Sequence, residues 1–139
     1  MIKVIMGQRG TGKSKKIIEL ANQAVKEDLG DIVYINSNNR HMYELDHNIR
    51  FVNVSEFAIA DYCMFYGFIC GIISEDFDIS QIYIDGITRI SDNDSDSFEK
   101  FLKDIVKISN KFNVTFTFTV SGEPEQAPPY LKEYLCTVS

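Results

Sequence analysis

The sequence predicts an α/β domain, a three-layer sandwich in which a mostly parallel sheet of about five strands lies between helices. Three observations lead there. The apolar runs "IKVIM" (2–6), "IVYIN" (32–36) and "QIYIDG" (81–86) are of the kind buried on both faces of a parallel sheet. Segments of helical period lie between them. The order strand–helix–strand–helix–strand–helix–strand–strand implies right-handed crossovers that put helices on both faces. At 139 residues, with no repeat or linker, the chain suits one domain spanning 1–139.

Each element has its local reason. The first strand ends at Gly7. Ile17, Ile18, Ala21, Ala24 and Val25 recur at helical spacing and define a helix over 13–27, closed by Leu29-Gly30-Asp31. "SNNRHMYELDHN" reads as loop, and "IRFVNV" (49–54) as a short additional strand. Ser55 is the expected N-cap of an apolar helix over 57–73, "FAIADYCMFYGFICGII". "SDNDSDS" (91–97) reads as an acidic loop, with Asp96 as N-cap and Glu99 in the first turn of the next helix. On that helix Phe98, Phe101, Leu102, Ile105 and Ile108 share a face, and Glu99–Lys103 and Lys100–Asp104 are i,i+4 pairs. "VTFTFTV" (114–120) alternates as a strand does. "GEPEQAPP" reads as loop, with Pro128-Pro129 excluding regular structure, and "YLCTV" (134–138) as a final strand.

Composition narrows the function classes. With 14 Lys+Arg against 20 Asp+Glu, a net charge of -6, nonspecific nucleic-acid binding is not expected. Cys63, Cys70 and Cys136 show no C-x-x-C spacing and read as small buried hydrophobes, not as a disulfide framework or zinc site. Residues 57–73 sit at the short limit for a membrane span and carry Asp61 and two glycines, so a buried helix is expected. Its aromatic residues wrap around more than one helix face, which offers a surface to a protein partner or a second copy. No secretory leader is visible at the start, and a cytoplasmic location is expected.

The most specific signal is "GQRGTGKS", Gly7–Ser14, which fits G-x-x-x-x-G-K-[ST] without departure. Its glycines let the backbone turn N–H groups toward phosphate oxygens, and the following helix adds its positive dipole end. Gly7, Gln8, Arg9, Gly10, Thr11, Gly12, Lys13, Ser14 and Lys15 are therefore the candidate phosphate-binding residues. Lys13 would reach the β- and γ-phosphates, and the Ser14 hydroxyl would ligate Mg²⁺. The arrangement resembles the P-loop NTPase superfamily, with this run as its Walker A motif. The resemblance implies a second motif, an apolar strand ending in Asp. "IYID" (82–85) fits it, and Asp85 would hold the Mg²⁺ shell opposite Ser14.

Within the superfamily the chain looks like the RecA/AAA-type core, which often carries an extra strand between the loop strand and the Asp strand. "VTFTFTVS" would be that strand, and Ser121 (or Thr119) would stand where the family keeps a γ-phosphate sensor; an ordinary turn serine is the equal alternative. The four arginines, Arg9, Arg40, Arg50 and Arg89, form no lid such as small-molecule kinases bring. "NKFN" (110–113) lacks the Asp of a guanine motif, and no zinc-bound cysteine lasso is present. Many members place a Glu directly after the Asp. Here that position is Gly86, which cannot polarise water. Asn36, Ser37 and Asn38 end the second strand, where other members keep the Glu. Glu44 and Asp46 lie in the next loop, either as candidate bases or as solvated charges. Arg89 reads as a surface arginine or as one that reaches a neighbouring subunit. His41 and His47 fit no metal spacing.

The resemblance thus implies binding of ATP (or another NTP) with Mg²⁺, and weak or partner-dependent NTPase activity resting on Lys13, Asp85 and Ser121. The alternative is a nucleotide-responsive interaction module without turnover.

Overall fold

A computed structural model describes residues 1–27, 30–86 and 95–136. Five strands, β1 (Ile2–Gly7), β2 (Asp31–Asn36), β3 (Arg50–Asn53), β4 (Ile79–Ile84) and β5 (Thr115–Ser121), pair in parallel in the order β1-β5-β4-β2-β3. The last strand in sequence is therefore inserted between β1 and β4. Helix α1 (Lys13–Lys26) covers one face, while α2 (Tyr62–Glu75), α3 (Ser95–Phe112) and the short α4 (Pro129–Lys132) cover the other. The result is a three-layer α/β sandwich with an all-parallel sheet.

Alternation along the strands decides which side chain meets which layer. Ile5, Ile32, Tyr34 and Tyr83 pack with Ile17, Ile18, Ala21 and Ala24 of α1. Val4, Val33, Ile35, Ile82 and Ile84 face the opposite layer together with Phe116, Phe118 and Val120. In that layer Tyr62 and Phe65 of α2 and Phe98 of α3 stack around Phe101, which meets Phe118 edge-on at 6.3 Å. Thr117 and Thr119 of β5 alternate with its phenylalanines, so they lie on the α1 side, both buried. Their small side chains leave α1 room to cross β5 as well as β1, β4 and β2.

Several local expectations are corrected. The apolar helix starts at Tyr62, not at 57. Its N-cap is Asp61, whose carboxylate accepts the Met64 N–H at 2.8 Å, whereas Ser55 lies in a 3₁₀ turn, Val54–Glu56, capped by Asn53. A carboxylate at the N-cap also meets the helix dipole favourably. Only one face of α2 is buried; Met64 is exposed and Cys63 likewise, with Cys70 and Cys136 half-buried. The cysteines are free, but they are not the buried hydrophobes expected. Asp96 sits within the first turn of α3, not at its cap. Of the two charge pairs on α3, Glu99–Lys103 forms at 3.1 Å, and Lys100–Asp104 is not an ion pair among the described residues.

The C-terminal segment departs most. Pro129 opens α4, because a proline at the first helical position gives up only an N–H that had no helical acceptor. Pro124 likewise opens a 3₁₀ turn, Pro124–Gln126. Of the expected final strand, the described residues show one parallel bridge, Leu135 to Val4, with Val4 N–H donating to the Tyr134 carbonyl and Cys136 N–H to the Val4 carbonyl, both at 2.8 Å. Leu29, most of the 91–97 loop and residues 137–138 lie outside the described residues. Among the described residues no helix is long and apolar enough to cross a membrane.

The α2 cap gives a direct comparison. Asp61→Ala should lower stability by about 1 kcal/mol in urea unfolding, and Ser55→Ala by clearly less. Equal losses would mean that Ser55 contributes to the helix start after all.

Candidate functional site

The loop between β1 and α1 is shaped by its glycines. Gly10 and Gly12 adopt φ of 85° and 88°, the left-handed region that costs glycine nothing, and Gly12 holds the N-cap position of α1. A Cβ on Gly7 would come within 2.7 Å of Thr11 Oγ1, which itself donates to the Gln8 carbonyl at 2.7 Å. The first-turn N–H groups of α1 have no acceptor within the helix and open onto this loop at the positive end of its dipole. Lys13 folds back over it, its Nζ donating to the carbonyls of Gly7 (2.8 Å) and Gln8 (2.9 Å). Arg9 and Lys15 are exposed at its rim. Such a loop can hold an anion with several oxygens, and Lys13 can add a mobile positive charge.

Directly behind the loop, the two sequence motifs meet. Ser14 Oγ donates to Asp85 Oδ2 at 2.8 Å. Asp85 follows β4 and is only 6% exposed. The same Oδ2 accepts the Tyr34 hydroxyl at 3.2 Å, and Oδ1 accepts the Thr119 hydroxyl at 2.7 Å. Thr119 Oγ1 in turn accepts the Gly86 N–H at 2.8 Å. A carboxylate this buried needs such donors to replace the water it has lost. Burial, and then the adjacent Asp85 carboxylate, push the Tyr34 phenol well above its ordinary value, so it stays a neutral donor. Ser14 and Asp85 present hard oxygen donors side by side, the donor set that suits Mg²⁺.

The remaining candidates are placed as follows. Ser121 ends β5 in register with Gly7 and is exposed, whereas Thr119, two residues earlier, is the one that touches Asp85. Asn36 is buried at the end of β2, its Oδ1 accepting the Ser37 N–H at 2.7 Å; it stands beside Asp85, whose N–H donates to the Ile35 carbonyl. The Glu44 carboxylate meets His41 Nδ1, and that of Asp46 accepts the Asn48 N–H, while Asn22 of α1 binds the backbone of both residues. His47 lies beside Asp46. Arg89 lies outside the described residues.

Sequence reasoning missed two side chains here. Tyr34 reads as core within an apolar strand, and nothing local reveals that its hydroxyl reaches Asp85. Glu123 accepts a hydrogen bond from the Gln8 side-chain amide. Its signal was available, a carboxylate just past the end of the strand inserted beside β1. No protein-family model and no curated protein matches the chain.

Tyr34 generates a pH prediction. A phenol raised above its ordinary 10.0 in the fold contributes stability that is complete below that pH and is lost as pH rises past it. Tyr34→Phe should cost about 1–3 kcal/mol at neutral pH, through the hydrogen bond lost at Asp85. Its unfolding midpoint in urea should then fall less steeply than that of the parent chain between pH 9 and about 11. Parallel pH profiles would show that Tyr34 is not held neutral.

Proposed function

We propose that the chain binds a nucleoside triphosphate together with Mg²⁺ and turns it over weakly or with a partner's help. ATP is the default for the superfamily that the sequence resembles. One observation carries the reading: the Ser14–Asp85 hydrogen bond joins two motifs 71 residues apart at the head of α1, directly behind the glycine loop. The loop N–H groups and Lys13 are assigned to the phosphates. Ser14 and Asp85 would hold Mg²⁺, which supplies charge neutralisation at the phosphates when bound. Ser121, beside Gly7, is close enough to the loop to act as a sensor; Thr119 instead keeps Asp85 oriented.

Gly86 supports a second reading, a nucleotide-responsive interaction module that needs no turnover. At φ 75° it offers no side chain to water beside Asp85. The outer face of α2, with Met64 47% exposed, together with Phe57 (50% exposed) from the turn before it, is the surface assigned to a partner or a second copy.

Calorimetric titration with ATP and GTP in the presence of Mg²⁺ tests the shared premise. Lys13→Ala should weaken binding by about 10–150-fold, the loss of one charge-assisted contact, without changing the far-UV spectrum. Ser14→Ala should remove the Mg²⁺ dependence. Undiminished affinity in the Lys13 variant would falsify the phosphate-cradle reading.

A further inference from the structure

We propose that Glu123 is the carboxylate that activates water for attack on the terminal phosphate, an inference that rests on the nucleotide reading above. The Gly7 carbonyl accepts both the Lys13 ammonium, at 2.8 Å, and the Gly122 N–H, at 3.0 Å. The residue before Glu123 is thus bonded to the same atom as the lysine of the cradle. Glu123 itself accepts from the Gln8 side chain, and the Gln8 carbonyl is the second acceptor of Lys13, at 2.9 Å. Backbone and side chain together hold Glu123 against the loop that receives the phosphates. Pro124 narrows its backbone to the extended region, observed at φ -79° and ψ 123°, and the Gln126 N–H closes the turn on its carbonyl at 3.0 Å.

The alternatives for this role are spent elsewhere. Gly86 occupies the place beside Asp85 in a left-handed conformation, with its N–H bound to Thr119, and a glutamate there would be strained. Asn36 has no basicity, and Glu44 and Asp46 are bonded within their own loop. Asp85 is engaged by three hydroxyls.

In the step assigned to Glu123, the water oxygen forms a bond to the γ-phosphorus and the bond from that phosphorus to the β–γ bridging oxygen breaks. The bridging oxygen keeps the electron pair and leaves on the diphosphate. The water proton passes to the Glu123 carboxylate and from there to solvent, giving nucleoside diphosphate and inorganic phosphate. Gln8 keeps the carboxylate aimed while the lysine changes partners.

The experiment measures binding and phosphate release on the same samples of the full chain, with Mg²⁺ and ATP or GTP. Glu123→Gln should bind as the parent does while release falls by about 10²-fold or more. Glu123→Asp should retain part of the rate, and Glu125→Gln, an equal charge change on an exposed neighbour, should retain all of it. Release by Glu123→Gln at the parent rate would overturn the assignment. So would a parent chain that binds nucleotide but releases no phosphate, which leaves the binding reading standing. A parent chain that binds neither nucleotide overturns the binding reading itself.

Discussion

Three hydroxyls from three separate elements converge on one carboxylate. Ser14 comes from α1, Tyr34 from β2 and Thr119 from β5, and all three donate to Asp85. An almost fully buried carboxylate without donors would cost several kilocalories. The arrangement therefore fixes more than the acid. It holds the head of α1 against the end of β4 and so fixes where the glycine loop sits. The insertion of β5 between β1 and β4 is what makes this possible, since it brings Thr119 beside Asp85 and Ser121 beside Gly7. β5 is apolar toward α2 and α3 but small and hydroxylated toward α1. One strand thus serves the hydrophobic core on one face and the polar site on the other.

Backbone conformation does the complementary work. Left-handed glycines at 10 and 12 turn the chain from β1 into α1, and another at 86 turns it away from β4. The first two clear side chains from the place where an anion would lie. The third leaves no side chain directly after Asp85. Gly122, bonded to the Gly7 carbonyl, then brings Glu123 to the Gln8 side chain at the start of the loop. Two acids thus touch the loop, Asp85 buried against Ser14 and Glu123 half-buried against Gln8.

On the far face, packing is dominated by aromatic rings shared between α2 and α3. Tyr62, Phe65, Phe98 and Phe101 form a continuous cluster over Phe118, and that cluster aligns α2 by one side only. Beyond it, a cleft of about 680 Å³ separates α2 from the edge strand β3, with Phe57, Phe68, Gly67 and Gly71 among its walls. The excess apolar surface visible in the sequence is thus divided between core and cleft.

The sequence alone determined the strand and helix inventory through β5, because hydrophobic period and glycine placement are local properties that each segment carries with it. It also named Gly7–Ser14 and Asp85, since a glycine loop with Lys and Ser and a strand ending in Asp are each contiguous. It put the cap of the apolar helix at Ser55, because serine accepts a backbone N–H, and did not single out Asp61, which caps the helix in the structure. It misread the C-terminal prolines, whose effect depends on whether they fall inside a helix or at its first position. The contacts of Tyr34, Thr119 and Glu123 were decided only by the tertiary structure. Their partners lie 51, 34 and 115 residues away. Such contacts exist only once strand order and register are set, and those follow from how the faces of the whole sheet are buried, which no single segment encodes.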